Sequence, residues 1–360
     1  MNEVAGADVL CLRLDKRMGE SALRLLRGLQ LLNTGFKIGH DDDQLLIPLI
    51  RPPSEPERSA LEVDLGHLRM NRVTLTRVSH KPRTIIEALK DQLAPHQLAS
   101  LPRSIDIIGE IAIVELPEEL HGYEKAVGAA ILETNRNVRT VLQKVGPVST
   151  EKRLRHFHVI AGADVTETTH REYGCLFRVD VAKVYFSPRL SFEHERVAGQ
   201  VGENETVVDM FTGVGPFAIH IAKRRRNVHI CAVDMNEDAI KYVRDNIRLN
   251  CVEDKVVIMK GDARTVIEKH LSGKADRVIM NLPARASEYV DAACLALKPS
   301  GGVIHYYTFG EDPDPLEKAK GKLSEALLRA GRKLEKVLYS RIVKGIAPHE
   351  WLCVLDILVR

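Results

Sequence analysis

The feature that most constrains this chain is a change of grammar at about residue 190. From there on, short apolar runs alternate with helical ones. "TVVDMF", "VHICAVD", "KVVIMKGD", "ADRVIMNLP" and "GGVIHYYTF" read as strands, with amphipathic stretches between them. Such strand–helix repeats predict a parallel sheet with helices on both faces. In "NEDAIKYVRDNIRLN" (236–250), Asn236 caps a helix whose Ile240, Val243 and Ile247 share one face. The final "YSRIVKGIAPHEWLCVLDILVR" holds two strands around a turn and no helix between them.

The first strand of the series enters "DMFTGVGPFAIHIA", residues 209–222. Gly213 and Gly215 let a ligand approach backbone with no Cβ in the way. The helix that follows offers free N–H groups at its start. Ala218 fills the third position of a G-x-G-x-x-G pattern. Taken alone, a glycine turn is a weak signal. Two acids strengthen it: Asp234 ends the second strand, where a ribose diol would be held, and Asp262 ends the third, beside an adenine edge. An adenosine ligand at the carboxyl edge of the sheet follows. NAD and S-adenosylmethionine (AdoMet) both contain one. The fourth strand ends in "NLP" (281–283), a rigid loop offering an amide and a carbonyl. These groups suit the edge of a planar base next to a methyl donor and have no evident use in a dehydrogenase.

Upstream, residues 1–75 read as a small α/β module, 76–185 as an α+β region and 186–360 as the strand–helix domain. "VLCLRL" (9–14) is a strand and "GESALRLLRGLQLLN" (19–33) a helix. "RPPSEPERS" (51–59) reads as a solvated loop, and "GYEKAVGAAILETNRNVRTVLQKVG" (122–146) as one long helix. Composition, with 44% hydrophobic and 28% charged residues, is that of a soluble globular protein. No run of 18 apolar residues exists and no signal-peptide pattern is visible, so a cytoplasmic protein is expected. The six cysteines form no CxxC pair and read as buried, reduced thiols. No metal-ligand spacing stands out. Net charge is only +3, so an RNA partner needs local patches. Arg136, Arg139, Lys144, Lys152, Arg153 and Arg155 supply one, and "KRRR" (223–226) a second. Aromatic content of 5% argues against a single-strand stacking platform and for a folded RNA with one splayed base.

"DMFTGVGPFAIHIAK", "CAVDMNEDAIKYVRDNIRLN", "GDAR", "VIMNLPARASEYVDAACLALKPSGGVIHYYTF" and "APHEW" together resemble the tRNA guanine-37 N1-methyltransferase family of archaea and eukaryotes. "RLRHFHVIAG" and "HREYGCLFRVDVAKVYFSPRLSFEHERV" continue the match over nearly the whole chain. The resemblance implies a class I AdoMet-methyltransferase domain closed by the terminal hairpin, an α+β middle domain and an N-terminal domain that reads the outer corner of tRNA. It implies methyl transfer from AdoMet to N1 of guanine 37 in the anticodon loop. A monomer is expected.

Guanine N1 carries a proton and is a poor nucleophile until it loses it, so a base is needed near N1 and a cation or donor near O6. By motif the base matches Glu193 and the cation Arg153, with Glu195 and Arg155 two residues away as the alternatives. Asn281 and Pro283 would cradle the guanine, and Tyr185 would line its pocket. His194, Asp209 and Phe211 fall at the methionine end of AdoMet. Met235 and Ala263 accompany the two acids. Three other readings share the fold: a wyosine-pathway aminocarboxypropyl transferase, a methyltransferase for a wyosine precursor, and an RNA-binding protein without activity. A nicotinamide oxidoreductase is the remotest.

Overall fold

A computed structural model describes residues 6–78, 82–146 and 156–360. The chain forms two compact units, Met1–Pro82 and Arg83–Arg360.

In the first unit, β1 (Gly6–Asp15), β2 (Gly39–Asp41), β3 (Gln44–Pro48) and β4 (Arg69–Thr76) make an antiparallel sheet in the order β2-β3-β1-β4. Ala22 and Leu26 of α1 (Gly19–Gly28) pack with Leu12 and Ile47 in its core. The expected solvated loop at 51–59 is half right. Helix α2 (Glu55–Leu65) begins inside it, because the Glu57 carboxylate accepts the Ser54 backbone N–H at 2.7 Å and its hydroxyl at 2.9 Å. Proline in the first turn costs a helix nothing, since the N–H it lacks has no partner there.

The second unit starts with α3 (Ile85–Leu89) and α4 (Pro95–Ala99). A mixed four-stranded sheet follows, built from β5 (Asp106–Ile108), β6 (Ile111–Val114), β7 (Thr140–Val145) and β8 (His156–Gly162). The long helix expected over 122–146 is two elements. Helix α5 (Glu124–Thr134) stops where the Asn135 side-chain amide donates to the Ile131 carbonyl at 2.9 Å. The remainder becomes β7, running parallel to β6 and antiparallel to β8 with Thr140, Val141 and Leu142 buried. Thr140 and Val141 are β-branched and suit a central strand better than a helix.

The hairpin of β9 (Glu167–Glu172) and β10 (Cys175–Asp180) leads to α6 (Ser191–Gln200). Then come β11 (Thr206–Asp209), α7 (Pro216–Arg224), β12 (His229–Asp234), α8 (Glu237–Leu249), β13 (Val256–Lys260), α9 (Ala263–Val266), β14 (Arg277–Met280), α10 (Val290–Ala296), β15 (Gly302–Glu311), α11 (Pro315–Arg329), β16 (Leu334–Ala347) and β17 (Glu350–Val359). Their seven-stranded sheet has the order β13-β12-β11-β14-β15-β17-β16. It is parallel from β13 to β15, and the terminal hairpin adds antiparallel to β15. The order reverses at β11 and β14, which opens a crevice at the carboxyl ends of the strands.

Two buried asparagines dock the β9–β10 hairpin. Asn246 of α8 receives the Arg178 N–H at 2.7 Å and donates to the Arg178 carbonyl at 3.0 Å. Asn250, one turn on, does the same for Leu176 at 3.0 and 2.7 Å. The helix thus takes the place of a neighbouring strand along β10. Glu172, which ends β9, is fixed in the site by this docking.

Candidate active site

The crevice lies over the β11–α7 turn. Gly213 sits at φ 56°, and a Cβ there would meet nothing nearer than the Tyr185 carbonyl oxygen at 3.7 Å. Gly215 sits at φ 90°, and its Cβ would come within 2.7 Å of Val243 Cγ2. The first glycine leaves ligand space open; the second permits helix packing. Asp234 fastens the turn by accepting the Gly213 N–H at 2.8 Å and the Asn236 N–H at 2.8 Å. Burial nevertheless raises its pKa. Asp262 accepts the Thr265 N–H at 3.2 Å with one oxygen and the Tyr289 hydroxyl at 3.2 Å with the other.

Gly213, Asp234, Met235, Asp262, Ala263, Asn281, Phe211, His194 and Tyr185 all line one pocket. Ala284, Arg285 and Tyr289 also line it and escaped sequence reasoning. Tyr289 meets Phe211 edge-on, with ring centroids 5.0 Å apart. The two make an aromatic wall between the end of β11 and the loop after β14. Two acids at successive strand ends, an open glycine and an aromatic wall fit an adenosine-containing cofactor. Pro283 is buried and does not line this pocket, and neither do Glu193, Asp209 and Gly215.

Asp209 is wholly buried beneath the turn, and neither its carboxylate oxygens nor the Thr212 hydroxyl makes a well-formed hydrogen bond among the described residues. Burial pushes the Asp209 carboxyl up to about 7, against a weak pull down from the Thr212 hydroxyl and the Phe211 N–H beside it. Polar atoms left without partners beside a ligand pocket mark a place where the ligand or its water completes the hydrogen bonding.

Helix α6 carries Glu193 and His194 side by side, both buried. His194 donates from Nδ1 to Glu172 Oε1 at 2.7 Å, and His220 of α7 reaches the same oxygen with Nε2 at 3.0 Å. Burial pushes the Glu172 carboxyl up, and the two imidazoles outweigh it, taking it down to about 2. Burial keeps the His194 pKa below its ordinary value. These three residues are the one cluster with metal-compatible donors among the described residues, and sequence spacing did not reveal it. Its distances of 2.7 and 3.0 Å are hydrogen-bond lengths, so hydrogen bonds account for it.

Glu193 belongs to a different set. Its Oε2 accepts from Arg196 Nε at 3.0 Å and Nη2 at 2.8 Å, and from the Tyr307 hydroxyl at 3.0 Å. Its Oε1 is buried and accepts no hydrogen bond from the described residues. Arg341 of β16 lies 4.0 Å from that oxygen. Glu195, the alternative two residues on, is tied to Arg224 and to His220.

A second groove shares Tyr185, Phe186 and Ser187 with the cofactor pocket. Arg103, Lys144, Arg189 and Lys344 bring positive charge to it, and Asp106 pairs with two of them. Arg136 and Arg139 lie in a separate shallow groove with Arg171, where Arg139 pairs with Glu110 at 3.1 Å. Arg153, Arg155 and Lys152 lie outside the described residues. Three cations of "KRRR" are engaged locally: Lys223 with the Asn250 carbonyl, Arg224 with Glu195 and Arg225 with the Gly199 carbonyl. All six cysteines are unpaired thiols, and Cys251 is exposed where a buried position was expected.

Comparison with known proteins agrees with this geometry. Residues 168–334 match the TRM5/TYW2 methyltransferase domain, 85–166 the TYW2 N-terminal domain and 11–57 the tRNA methyltransferase 5 N-terminal domain. The chain is 40% identical over 348 residues to the tRNA (guanine(37)-N(1))-methyltransferase Trm5b of Pyrococcus abyssi, covering 96% of this chain and 98% of that one. The chain belongs to the tRNA (guanine-37-N1)-methyltransferase family of archaea and eukaryotes. Trm5b of Methanocaldococcus jannaschii is 35% identical over 350 residues, again 96% of this chain and 98% of its own. The solved structure of aTrm5 with tRNALeu superposes with a TM-score of 0.82 at 33% identity, over 97% of this chain and 99% of that one. As a member of the family the chain is a methyltransferase, and the pocket over Gly213 is of the kind that holds its cofactor, AdoMet.

Proposed function

We propose that the chain transfers the methyl group of AdoMet to N1 of guanine 37 in tRNA, with Glu193 as the base that takes the N1 proton. The observation that carries this reading is the state of Glu193: a buried carboxylate with one oxygen held three ways and the other without a hydrogen bond among the described residues. A bare acceptor in a dry place suits proton abstraction from a weakly acidic ring N–H. AdoMet supplies an electrophilic methyl carbon. The N1–H electrons become the new N–CH3 bond, the proton passes to Glu193, and the C–S electrons stay on sulfur.

The groove next to the cofactor pocket is the natural seat for the nucleotides around the target. Its wall residues, Tyr185 to Ser187, are shared with that pocket, and Arg103, Arg189 and Lys344 are suited to flanking phosphates. Asn281 lines the cofactor pocket at the end of β14, where its amide can meet a base edge. Arg153 is assigned to O6 on the family pattern alone. Arg136 and Arg139 are placed on tRNA phosphates outside the pocket. The match of residues 11–57 and the full-length Trm5b relatives favour methyl transfer over aminocarboxypropyl transfer.

The test uses tRNA transcripts bearing G37 with AdoMet labelled either on the methyl or on the carboxyl carbon. Methyl label recovered as 1-methylguanosine supports the reading. Carboxyl label in the RNA would mean aminocarboxypropyl transfer, and label in neither case an RNA-binding protein.

A further inference from the structure

A buried polar chain crosses the sheet behind Glu193. Asp356 of β17 and His305 of β15 face each other across the two strands, both wholly buried. Arg277 donates from Nη1 to His305 Nε2 at 2.9 Å. An arginine only donates, so Nε2 is the acceptor and the ring proton sits on Nδ1. That N–H points to Asp356 Oδ1 at 2.7 Å. Burial holds the His305 pKa down, as a neutral ring requires. Asp356 in turn grips Arg196, which reaches Glu193. At the far end Arg277 is held by Glu205 at 2.9 Å and by the Gln200 carbonyl at 3.2 Å. Arg196 also lies over the Tyr339 ring, 4.2 Å from its centroid, so its plane is fixed.

We infer that Arg196 and Tyr307, braced by the Asp356–His305–Arg277 chain, are positioning residues that pin Oε2 of Glu193 and leave Oε1 as the proton-accepting oxygen. This rests on Glu193 being the base. Without such pins a buried glutamate side chain could turn either oxygen to the substrate or turn away from it. Arg196 alone would be a loose arm; Asp356 fixes its far edge, and the tautomer of His305 fixes Asp356. A rigid supporting shell of this kind is what holds a reacting group in productive geometry. The groups facing Glu193 among the described residues are Arg196 and His194 from its own helix, Tyr307 from β15, Arg341 from β16 and, behind Arg196, Asp356 from β17.

The Tyr307 hydroxyl donates to Oε2 and so helps to fix which oxygen is turned to the substrate. The experiment is single-turnover methyl transfer to G37 tRNA, with AdoMet and tRNA affinities measured alongside, on the chain carrying Tyr307→Phe, Asp356→Asn or Glu193→Gln. Tyr307→Phe and Asp356→Asn should each lower the transfer rate, Asp356→Asn by roughly tenfold, with both affinities unchanged. If both variants melt cooperatively and keep the wild-type rate, the chain is structural only and the inference is wrong. Should Asp356→Asn fail to fold, Tyr307→Phe decides, since it keeps the buried ring. Glu193→Gln separates the two claims. If it transfers at the wild-type rate, the base assignment falls and the inference with it. If it is silent while the other two behave as wild type, only the positioning claim falls.

Discussion

Glu193 and His194 are neighbours on one turn of α6, yet they belong to different worlds. His194 lines the cofactor pocket and is oriented by an ionised Glu172 that a second imidazole shares. Glu193 makes its hydrogen bonds elsewhere, with Arg196 of its own helix and Tyr307 of β15 holding one oxygen and Arg341 of β16 at 4.0 Å from the other. The first network draws on the β9–β10 hairpin and α7, the second on β15, β16 and β17. On the proposed reading, one helix turn joins cofactor binding to proton removal. The general lesson is that two adjacent buried polar residues can be given separate duties if each has its own anchors. Asp209 supplies the contrast: equally buried, it has no cation and no well-formed hydrogen bond among the described residues, only the neighbouring Thr212 hydroxyl and Phe211 N–H.

That contrast yields the largest expected effect on stability. The Asp209 carboxyl goes from 3.8 to about 7 in the fold. A raised folded value means that ionisation opposes folding. The cost is absent below the ordinary value, grows as pH rises between the two, and is complete above about 7. Asp209→Asn should therefore raise the unfolding free energy of the cofactor-free protein above pH 7 by on the order of 4 kcal/mol. Denaturant titrations at several pH values would check this, and the gain should vanish in acid.

Glu172 has the opposite sign. Its carboxyl drops from 4.5 to about 2. That stabilisation is present above the ordinary value and is lost as pH falls from 4.5 towards 2. Glu172→Gln should cost about 3 kcal/mol at neutral pH, with the difference from wild type closing in acid. It should also weaken AdoMet binding, because His194 loses its orienting partner. Transfer at saturating AdoMet should suffer less, since Glu193 is held by other groups. An equal loss in both would break the comparison.

The smallest effects distinguish the two glycines. Gly215→Ala drives a methyl group against Val243 and should cost about 1–3 kcal/mol in denaturant unfolding. Gly213→Ala meets only the Tyr185 carbonyl oxygen at 3.7 Å, in ordinary contact, so its stability cost comes from the backbone at φ 56° alone and should be smaller; calorimetry should show the larger loss in AdoMet affinity.

How much of this was legible in the sequence follows physical lines. The parallel strands were, because a buried strand is a short apolar run between turn signals. The carboxylates at the ends of β12 and β13 were, because strand ends and glycine turns are local. The end of α5 was missed because Asn135 and its neighbours carry too weak a break against a continuing apolar pattern. Helix α2 was missed although Ser54 and Glu57 have the spacing of a capping box; the surrounding prolines and charges masked it. The network behind Glu193 was out of reach, since Tyr307 and Asp356 lie 114 and 160 residues from their partners on α6. A signal existed nonetheless: His305 and Asp356 are single polar residues inside otherwise apolar runs, "VIHYY" and "VLDILV". A buried polar residue in such a run has to find a partner.

The division of labour on α6 is tested most directly by Glu193→Gln, with AdoMet affinity and single-turnover methyl transfer to G37 tRNA measured on the same preparation. The account expects unchanged AdoMet affinity and a rate lowered by about 10²–10⁴. Retention of the wild-type rate would contradict it, and so would a loss that AdoMet binding alone explains.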